Sequence, residues 1–299
     1  MAKKILITGS GGFVGKNLYK ILKSDENFYV FGVDRASKSN VVDAVVDISD
    51  KQAMVEVLRG FNPDEIVHLA ALSDVEKCEQ EKELTDRQNI APVKMLAEWA
   101  NQNDKKIIFI SSDYVFDGVK GDFDESACPN PLQYYGQTKL AGEKIVSALK
   151  NHIILRPTVI YGWDDNGMNF FMQLYRKQKE GREMRVPLDQ ISNPTYVMDF
   201  CRLLKKTLSA ALNGTFLATG NESMSRYDFA VKICQFMGWN KDLIIPVETK
   251  LLGQVARRPL LNSTNSKAAQ ETFQFQFNSL ENIFSDILAR MQPNSRLLN

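Results

Sequence analysis

"LITGSGGFVGKNL", residues 6–18, sets Gly9, Gly12 and Gly15 directly after an apolar run and at the start of a helical pattern. The run "KKILITG" (3–9) reads as a strand, and "FVGKNLYKILKS" (13–24) reads as a helix. Glycine is needed where the chain turns tightly and where backbone must come close to a phosphate. The helix that follows has free N–H groups and a partial positive charge at its first turn, so an anion can rest there. Phe13 and Val14 lie inside the same turn. The pattern also calls for an acidic residue about twenty positions on, at the end of the second strand. Asp34 stands there, closing "FYVFGVD" (28–34). A glycine triplet alone is weak evidence; a strand before it, a helix after it and the acid further on give it the right context.

These residues form the expected binding set for a nicotinamide dinucleotide. Asp34 would accept hydrogen bonds from ribose hydroxyls and repel a 2′-phosphate. Arg35, with Lys38 nearby, could offset that repulsion by pairing with the phosphate. The sequence therefore admits NADPH or NADH without choosing between them. In "VVDIS" (45–49), Asp47 and Ile48 follow another short apolar run, where the carboxylate could reach an adenine amino group. The bland alternative for Asp47 is a cap on the following helix.

The first half continues the alternation begun at the glycine turn. Strands are expected within 28–34, 41–47, 65–71, 105–112 and 152–162. Helices are expected at 50–60, at 88–102 and on the segment that carries Tyr135. This βαβ rhythm, with strands apolar on both faces, predicts an α/β fold: a Rossmann-type doubly wound parallel sheet. After Gly162 the texture changes to longer helices, 169–181 and 226–239, with isolated strand-like runs at 214–220 and 243–248. A smaller α/β C-terminal substrate domain is expected there. The expected division is residues 1–163 for dinucleotide binding and 164–299 mainly for substrate, with about 192–219 returning to the first domain. The tail 291–299 reads as a frayed end.

Composition excludes several classes. Of the 299 residues, 44% are hydrophobic and 24% charged, as in an ordinary globular protein. Thirty-seven basic residues against thirty-six acidic leave a formal charge of +1, which favours neither nucleic acid nor an anionic membrane. Runs such as "KIIFIS" are too short to cross a bilayer. Cys78, Cys128, Cys201 and Cys234 are far apart and form no C-x-x-C pair, which suits a reducing cytoplasm and speaks against a zinc site. The two histidines, His68 and His152, both sit in strand-like runs, so no metal is expected.

"QYYGQTK" (133–139) places two tyrosines side by side. Residues i and i+4 share a helix face, which pairs Tyr135 with Lys139 and Tyr134 with Thr138. Alone, Tyr-x-x-x-Lys is common. Together with the glycine turn it makes the chain resemble the extended short-chain dehydrogenase/reductases over nearly its whole length, and among them the dTDP-4-dehydrorhamnose reductase branch. The segments carrying that resemblance are "ITGSGGFVG", "AALSDVEKCE", "SSDYVFDG", "YGQTKLAGE", "DQISNPTYVMD" and "RRPLLNS".

The resemblance implies a catalytic set of Ser112, Tyr135 and Lys139. Hydride delivered to a ketone leaves an alkoxide, so a proton donor must stand at the carbonyl oxygen. Tyr135 would be that donor, with the Lys139 ammonium drawing its pKa toward neutrality and Ser112 holding the carbonyl oxygen. Ala70 and Ala71 would line the cofactor, with Asn89 on the next helix and Arg156 and Thr158 beside the nicotinamide. The implied substrate is a nucleotide-linked sugar, met by Ser112, Asp113, Tyr135 and, through its diphosphate, Arg257 and Arg258. Arg185 is the alternative cation. A homodimer is left open.

Sugar-nucleotide dehydratases place an Asp-Glu pair after the hydroxyl residue, whereas Asp113 here is followed by Tyr114. The GDP-fucose epimerase-reductases use a cysteine where this chain has Asp113. A different class of function comes from the regulatory subunit of methionine adenosyltransferase, which resembles the same branch and works mainly as a binding partner. Reductases of the branch often carry a tryptophan near the position of Val159, which leaves the identity of the sugar open.

Overall fold

The computed structural model describes residues 2–36, 40–165 and 167–291. Lys38 and the tail from 292 onward lie outside the described residues. The first part runs β1 (Lys3–Thr8), α1 (Phe13–Lys23), β2 (Phe28–Asp34), β3 (Ala44–Val45), α2 (Lys51–Phe61) and β4 (Glu65–His68). Three helices follow, α3 (Val75–Gln80), α4 (Lys82–Asn89) and α5 (Ala91–Gln102), then β5 (Lys106–Ile110), α6 (Tyr134–Ser147), β6 (His152–Arg156) and β7 (Ile160–Tyr161). The remainder comprises α7 (Phe170–Lys179), β8 (Met184–Pro187), β9 (Ile191–Ser192), β10 (Thr195–Tyr196), α8 (Val197–Thr207) and β11 (Gly214–Leu217). It ends with β12 (Met224–Ser225), α9 (Arg226–Met237), β13 (Ile244–Val247), α10 (Lys267–Thr272) and α11 (Leu280–Met291).

Seven strands form one sheet in the order β11-β6-β5-β4-β1-β2-β3, and every pairing in it is parallel. Such strands must bury both faces, and the side chains divide accordingly. Ile5, Ile7, Val67, Ile108, Ile153 and Leu155 point into a core shared with α1 and α8. Leu6, Val33, Ile66, Ile107, Phe109 and Ile154 point to the opposite side, against α2, α5 and α6. The chain reverses its winding direction between β1 and β4, and a crevice opens beyond the carboxyl ends of strands at such a switch point. This is the Rossmann-type doubly wound sheet expected from the sequence.

Several elements differ from the sequence expectation. The helix expected at 88–102 is two, α4 and α5, broken at Ile90. Pro92 stands in the first turn of α5, where its missing N–H costs nothing; inside a continuous helix it would break the ladder. The apolar run 41–47 yields only a two-residue strand on the sheet edge. The strand-like run at 214–220, within the segment expected to return to the first domain, gives β11, which pairs with β6 in the main sheet. The run at 243–248 gives β13, which pairs with β8, a strand the pattern did not reveal.

Arg156 ends β6 and is not among the residues that line the cleft. Its Nε and Nη2 donate to Glu143 of α6 at 2.8 and 2.7 Å, both side chains 6% exposed, and its guanidinium lies over the Phe116 ring. Arg156→Met would leave the Glu143 carboxylate buried alone, so a stability loss of about 3–5 kcal/mol is expected in urea unfolding. Adding Glu143→Leu should restore most of it. A wild-type midpoint for the single variant would show that the pair is not what holds α6 on β6.

Candidate functional site

A cleft of about 780 Å³ opens at the ends of the central strands. Gly9, Gly12, Phe13, Val14 and Gly15 form one wall; Asp34, Arg35, Asp47 and Ile48 lie at one end, with Ala70 and Ala71 behind. Ser112, Asp113, Tyr135 and Lys139 line the same cleft, so one space brings together the residues singled out for cofactor and for chemistry. Lys77, Val159 and Arg226 also face it.

The glycine turn fits a dinucleotide phosphate on its own geometry. Gly9 has φ +73, and a Cβ there would stand 2.8 Å from the Ala70 backbone nitrogen. A Cβ on Gly15 would come within 2.1 Å of the Gly9 carbonyl oxygen. Gly12 is the N-cap of α1 and supplies no side chain to its first N–H groups, and the first turn has no acidic residue. Those donors are left to an external anion. The Gly11 N–H donates to Asp34 Oδ2 at 3.0 Å, which fixes the carboxylate at the cleft edge. Asp47 is engaged locally: Oδ1 accepts from the Ser49 N–H and hydroxyl at 2.9 and 2.7 Å. The Ser49 amide, more than any charge, holds its carboxyl below the usual range.

Tyr135 and Lys139 are one turn apart on α6. Lys139 Nζ donates to the Ile110 carbonyl at 2.9 Å and lies 5.7 Å from the centre of the Tyr135 ring. Burial dominates both groups. It pushes the Tyr135 phenol well above its ordinary value, with the Asp113 charge adding to the rise and the Ser112 hydroxyl opposing it. It brings the Lys139 ammonium down to about 8. The sequence expects Lys139 to draw the phenol toward neutrality; burial of the ring acts in the opposite direction.

Tyr134 faces elsewhere. Its hydroxyl donates to Asp86 of α4 at 2.8 Å, and burial together with that bond pushes its phenol up to about 12. It does not line the cleft. Ser112 Oγ donates to Asp113 Oδ1 and accepts from the Tyr114 N–H, each at 3.1 Å. The neighbouring Ser111 hydroxyl is buried without a hydrogen-bond partner among the described residues.

Asp113 is 2% exposed. Besides Ser112, it accepts from Thr158 Oγ1 at 2.6 Å and Asn262 Nδ2 at 2.7 Å. Burial pushes its carboxyl up to about 6, against the pull of those hydrogen bonds. Val159, next to Thr158, has φ +39, a strained value for a β-branched residue and one that marks functional loops. Asn89 is buried and binds the Leu72 backbone and the Thr138 hydroxyl.

Arg257 and Arg258 are not among the residues that line the cleft. Arg257 is exposed, and Arg258 Nη2 is paired with Glu76 Oε1 at 2.7 Å. Arg185 is exposed too and donates to the Leu251 carbonyl. Arg226 and Asn262 were not singled out from the sequence. "SRYDFA" reads only as a capped helix start, and Asn262 sits in a loop with no local signal of its partner.

Among the described residues no helix is long and apolar enough to cross a membrane, and no three His, Cys, Asp or Glu side chains converge as metal ligands.

A parallel sheet with a phosphate cradle and a Ser–Tyr–Lys set in one cleft defines an extended short-chain dehydrogenase/reductase architecture. Residues 3–292 match the RmlD substrate binding domain, and the chain belongs to that family. It is 29% identical to the dTDP-4-dehydrorhamnose reductase of Aggregatibacter actinomycetemcomitans, over 96% of this chain and 98% of that one. It is 30% identical to the methionine adenosyltransferase 2 subunit beta of Rattus norvegicus, over 86% of this chain and 79% of that one. The crystal structure of dTDP-4-dehydrorhamnose reductase from Bacillus anthracis in complex with NADP superposes with a TM-score of 0.88 at 29% identity, covering 97% of this chain and 100% of that chain.

Asp113 makes stability depend on pH in a defined direction. Its folded pKa lies above the ordinary 3.8, so the folded chain holds this proton more tightly than the unfolded chain. The contribution is complete below about 4 and is lost as pH rises through about 6. The unfolding free energy of the wild type, measured relative to Asp113→Asn, should therefore fall between those pH values and be level above pH 7. A difference that stays constant across the range would show that burial does not govern this carboxyl.

Proposed function

We propose that this chain reduces the 4-keto group of a nucleotide-linked 6-deoxyhexose with NADPH or NADH, and that the reaction is dTDP-4-dehydrorhamnose to dTDP-L-rhamnose. The observation that carries this reading is the meeting of Ser112, Tyr135 and Lys139 with the glycine cradle in a single cleft. The relatives that act on dTDP-4-dehydrorhamnose, and the NADP held by one of them, support it.

The turn from Gly9 to Gly15 and the open first turn of α1 would hold the pyrophosphate, and Asp34 the adenosine ribose. When bound, the dinucleotide supplies the hydride. Ser112 would hold the ketone oxygen and set its distance from Tyr135. A phenol raised by burial keeps its proton at neutral pH, which suits a donor to a forming alkoxide. Lys139, at about 8, is mostly charged at neutral pH and stabilises the phenolate left behind.

A second reading, as a regulatory binding subunit, draws on the similarity to methionine adenosyltransferase 2 subunit beta. The discriminating measurement is oxidation of NADPH by the purified chain alone when a 4-keto-6-deoxysugar nucleotide is added. No oxidation across a panel of dTDP-, UDP-, GDP- and CDP-linked substrates would favour the binding role.

Tyr135→Phe removes one oxygen and keeps the ring, so fold and NADPH binding should survive while turnover falls by about a hundred- to ten-thousandfold. Tyr134→Phe should lose less than about tenfold, a cost that reflects its bond to Asp86. Equal losses in steady-state assays, or a dead Tyr134 variant, would reverse the assignment.

Asp34 and Arg35 together should leave NADPH and NADH within about tenfold of each other in kcat/KM, or roughly 1.4 kcal/mol. A preference beyond a hundredfold would mean that one of the two side chains sets the choice alone.

A further inference from the structure

Arg226 is the first residue of α9 and its side chain faces the cleft. Its backbone is fixed on both sides: the N–H donates to the Gln190 carbonyl at 2.9 Å, and Ser225 caps the helix by accepting from the Asp228 N–H at 3.0 Å. The guanidinium lies 5.1 Å from the centre of the Phe170 ring. Among the described residues it makes no hydrogen bond and no ion pair, and Nε is buried without a partner.

The side chain is half-buried, with Nε shielded from water and unpaired; a buried donor left unmet is costly, and a fold that keeps one facing a cleft leaves it for a partner that arrives. Asp113 is not that partner. It lies close enough to be felt electrostatically, yet its oxygens are used by Ser112, Thr158 and Asn262. Of the other cations of the cleft, Lys139 is bonded to the Ile110 carbonyl, Arg35 adjoins Asp34 at the adenosine end, and Lys77 is a solvent-exposed side chain 3.9 Å from Glu81. The charged and phenolic neighbours of Arg226 are Asp113, Tyr114 and Arg258, none of them from the glycine turn or the ribose end. This places Arg226 on the side where the sugar nucleotide, not the dinucleotide, would enter.

We infer that Arg226 receives an anionic oxygen of the sugar-nucleotide substrate, the diphosphate being the anion that every such substrate carries. A planar guanidinium can bind two phosphate oxygens at once, and Phe170 beneath it fixes the plane. This inference rests on the sugar-nucleotide reading above. It moves the diphosphate contact from Arg258, which Glu76 neutralises, and from Arg257, which points to solvent, to a residue 31 positions earlier than Arg257.

The test is calorimetric binding to the full chain, wild type against Arg226→Gln and Arg226→Lys, with dTDP, UDP, GDP, UDP-glucose and UDP-glucuronic acid as probes. NADPH binding and thermal midpoint are measured alongside. Arg226→Gln should weaken the nucleoside diphosphate that the wild type binds by about tenfold or more, as expected for a hydrogen-bonded charge. Arg226→Lys should recover part of the loss, and NADPH affinity should be unchanged. A loss confined to UDP-glucuronic acid would identify a sugar carboxylate as the anion and uphold the inference in that form. Unaltered binding of every probe by Arg226→Gln would overturn it, as would a parallel loss of NADPH binding and of thermal stability in both variants. A wild type that binds none of the probes would remove the sugar-nucleotide reading, and this inference with it.

Discussion

Three donors from three distant parts of the chain converge on the carboxylate of Asp113: Ser112 beside it, Thr158 after β6, and Asn262 from a segment that crosses from the C-terminal part. A buried acid loses its hydration and must recover it from the protein, so each donor is held in place by the cost of leaving that oxygen bare. Asn262 does more than satisfy Asp113. Its N–H donates to the Ile191 carbonyl at 2.9 Å, while Leu261 and Phe123 bond across to Gly118 and Ser263 at 2.8 and 2.9 Å. The segment 260–264 is thus stitched between the loop after β5 and β9. One carboxylate at the end of a central strand and these backbone bonds together tie the segment 260–264 to the main sheet.

The opposite wall depends on close approach instead of hydrogen bonding. Gly15 and Gly9 let α1 begin almost on top of β1, and Gly136 does the same for α6, where a Cβ would stand 2.1 Å from the Tyr114 carbonyl. Gly142 lies against the Phe109 ring with room for no Cβ. Both helices that border the cleft, α1 with its open first turn and α6 with Tyr135 and Lys139, are seated on the sheet by missing side chains. Larger residues there would lift the groups away from the strand ends that they must face.

The parts of this design that were legible in the sequence are those encoded by neighbours in the chain. The glycine turn, Asp34 at the end of β2, and the alternation of strand and helix all depend on local spacing, and the sheet follows from them. The parts that were not legible depend on distant contacts. Asn262 meets Asp113 across 149 positions, and nothing around "LLNS" announces it. Arg226 looks like any helix-starting arginine until its surroundings show it facing the cleft with no partner. Conversely, "RRPLLNS" advertises two adjacent cations, but Glu76, from a helix whose existence the pattern did not reveal, takes Arg258. Edge and end effects account for the rest: the run at 41–47 is apolar enough for a strand, yet has only one neighbour to pair with.

The two adjacent tyrosines show how far burial and position, more than formal charge, decide chemistry here. A lysine one turn on was the reason to favour Tyr135, yet burial acts on both groups in the opposite sense: water is excluded from each, and each is pushed toward its neutral form. What separates the tyrosines is direction. Tyr134 spends its hydroxyl on Asp86, its N–H is taken by Glu79 at 2.8 Å, and Lys82 lies 5.2 Å from its ring centre. Those three contacts, from α3 and α4, clamp the first turn of α6 and set its rotation. Adjacent residues on a helix differ by about 100° in direction, so holding Tyr134 against α4 turns Tyr135 into the cleft. The packing tyrosine thereby aims the one beside it.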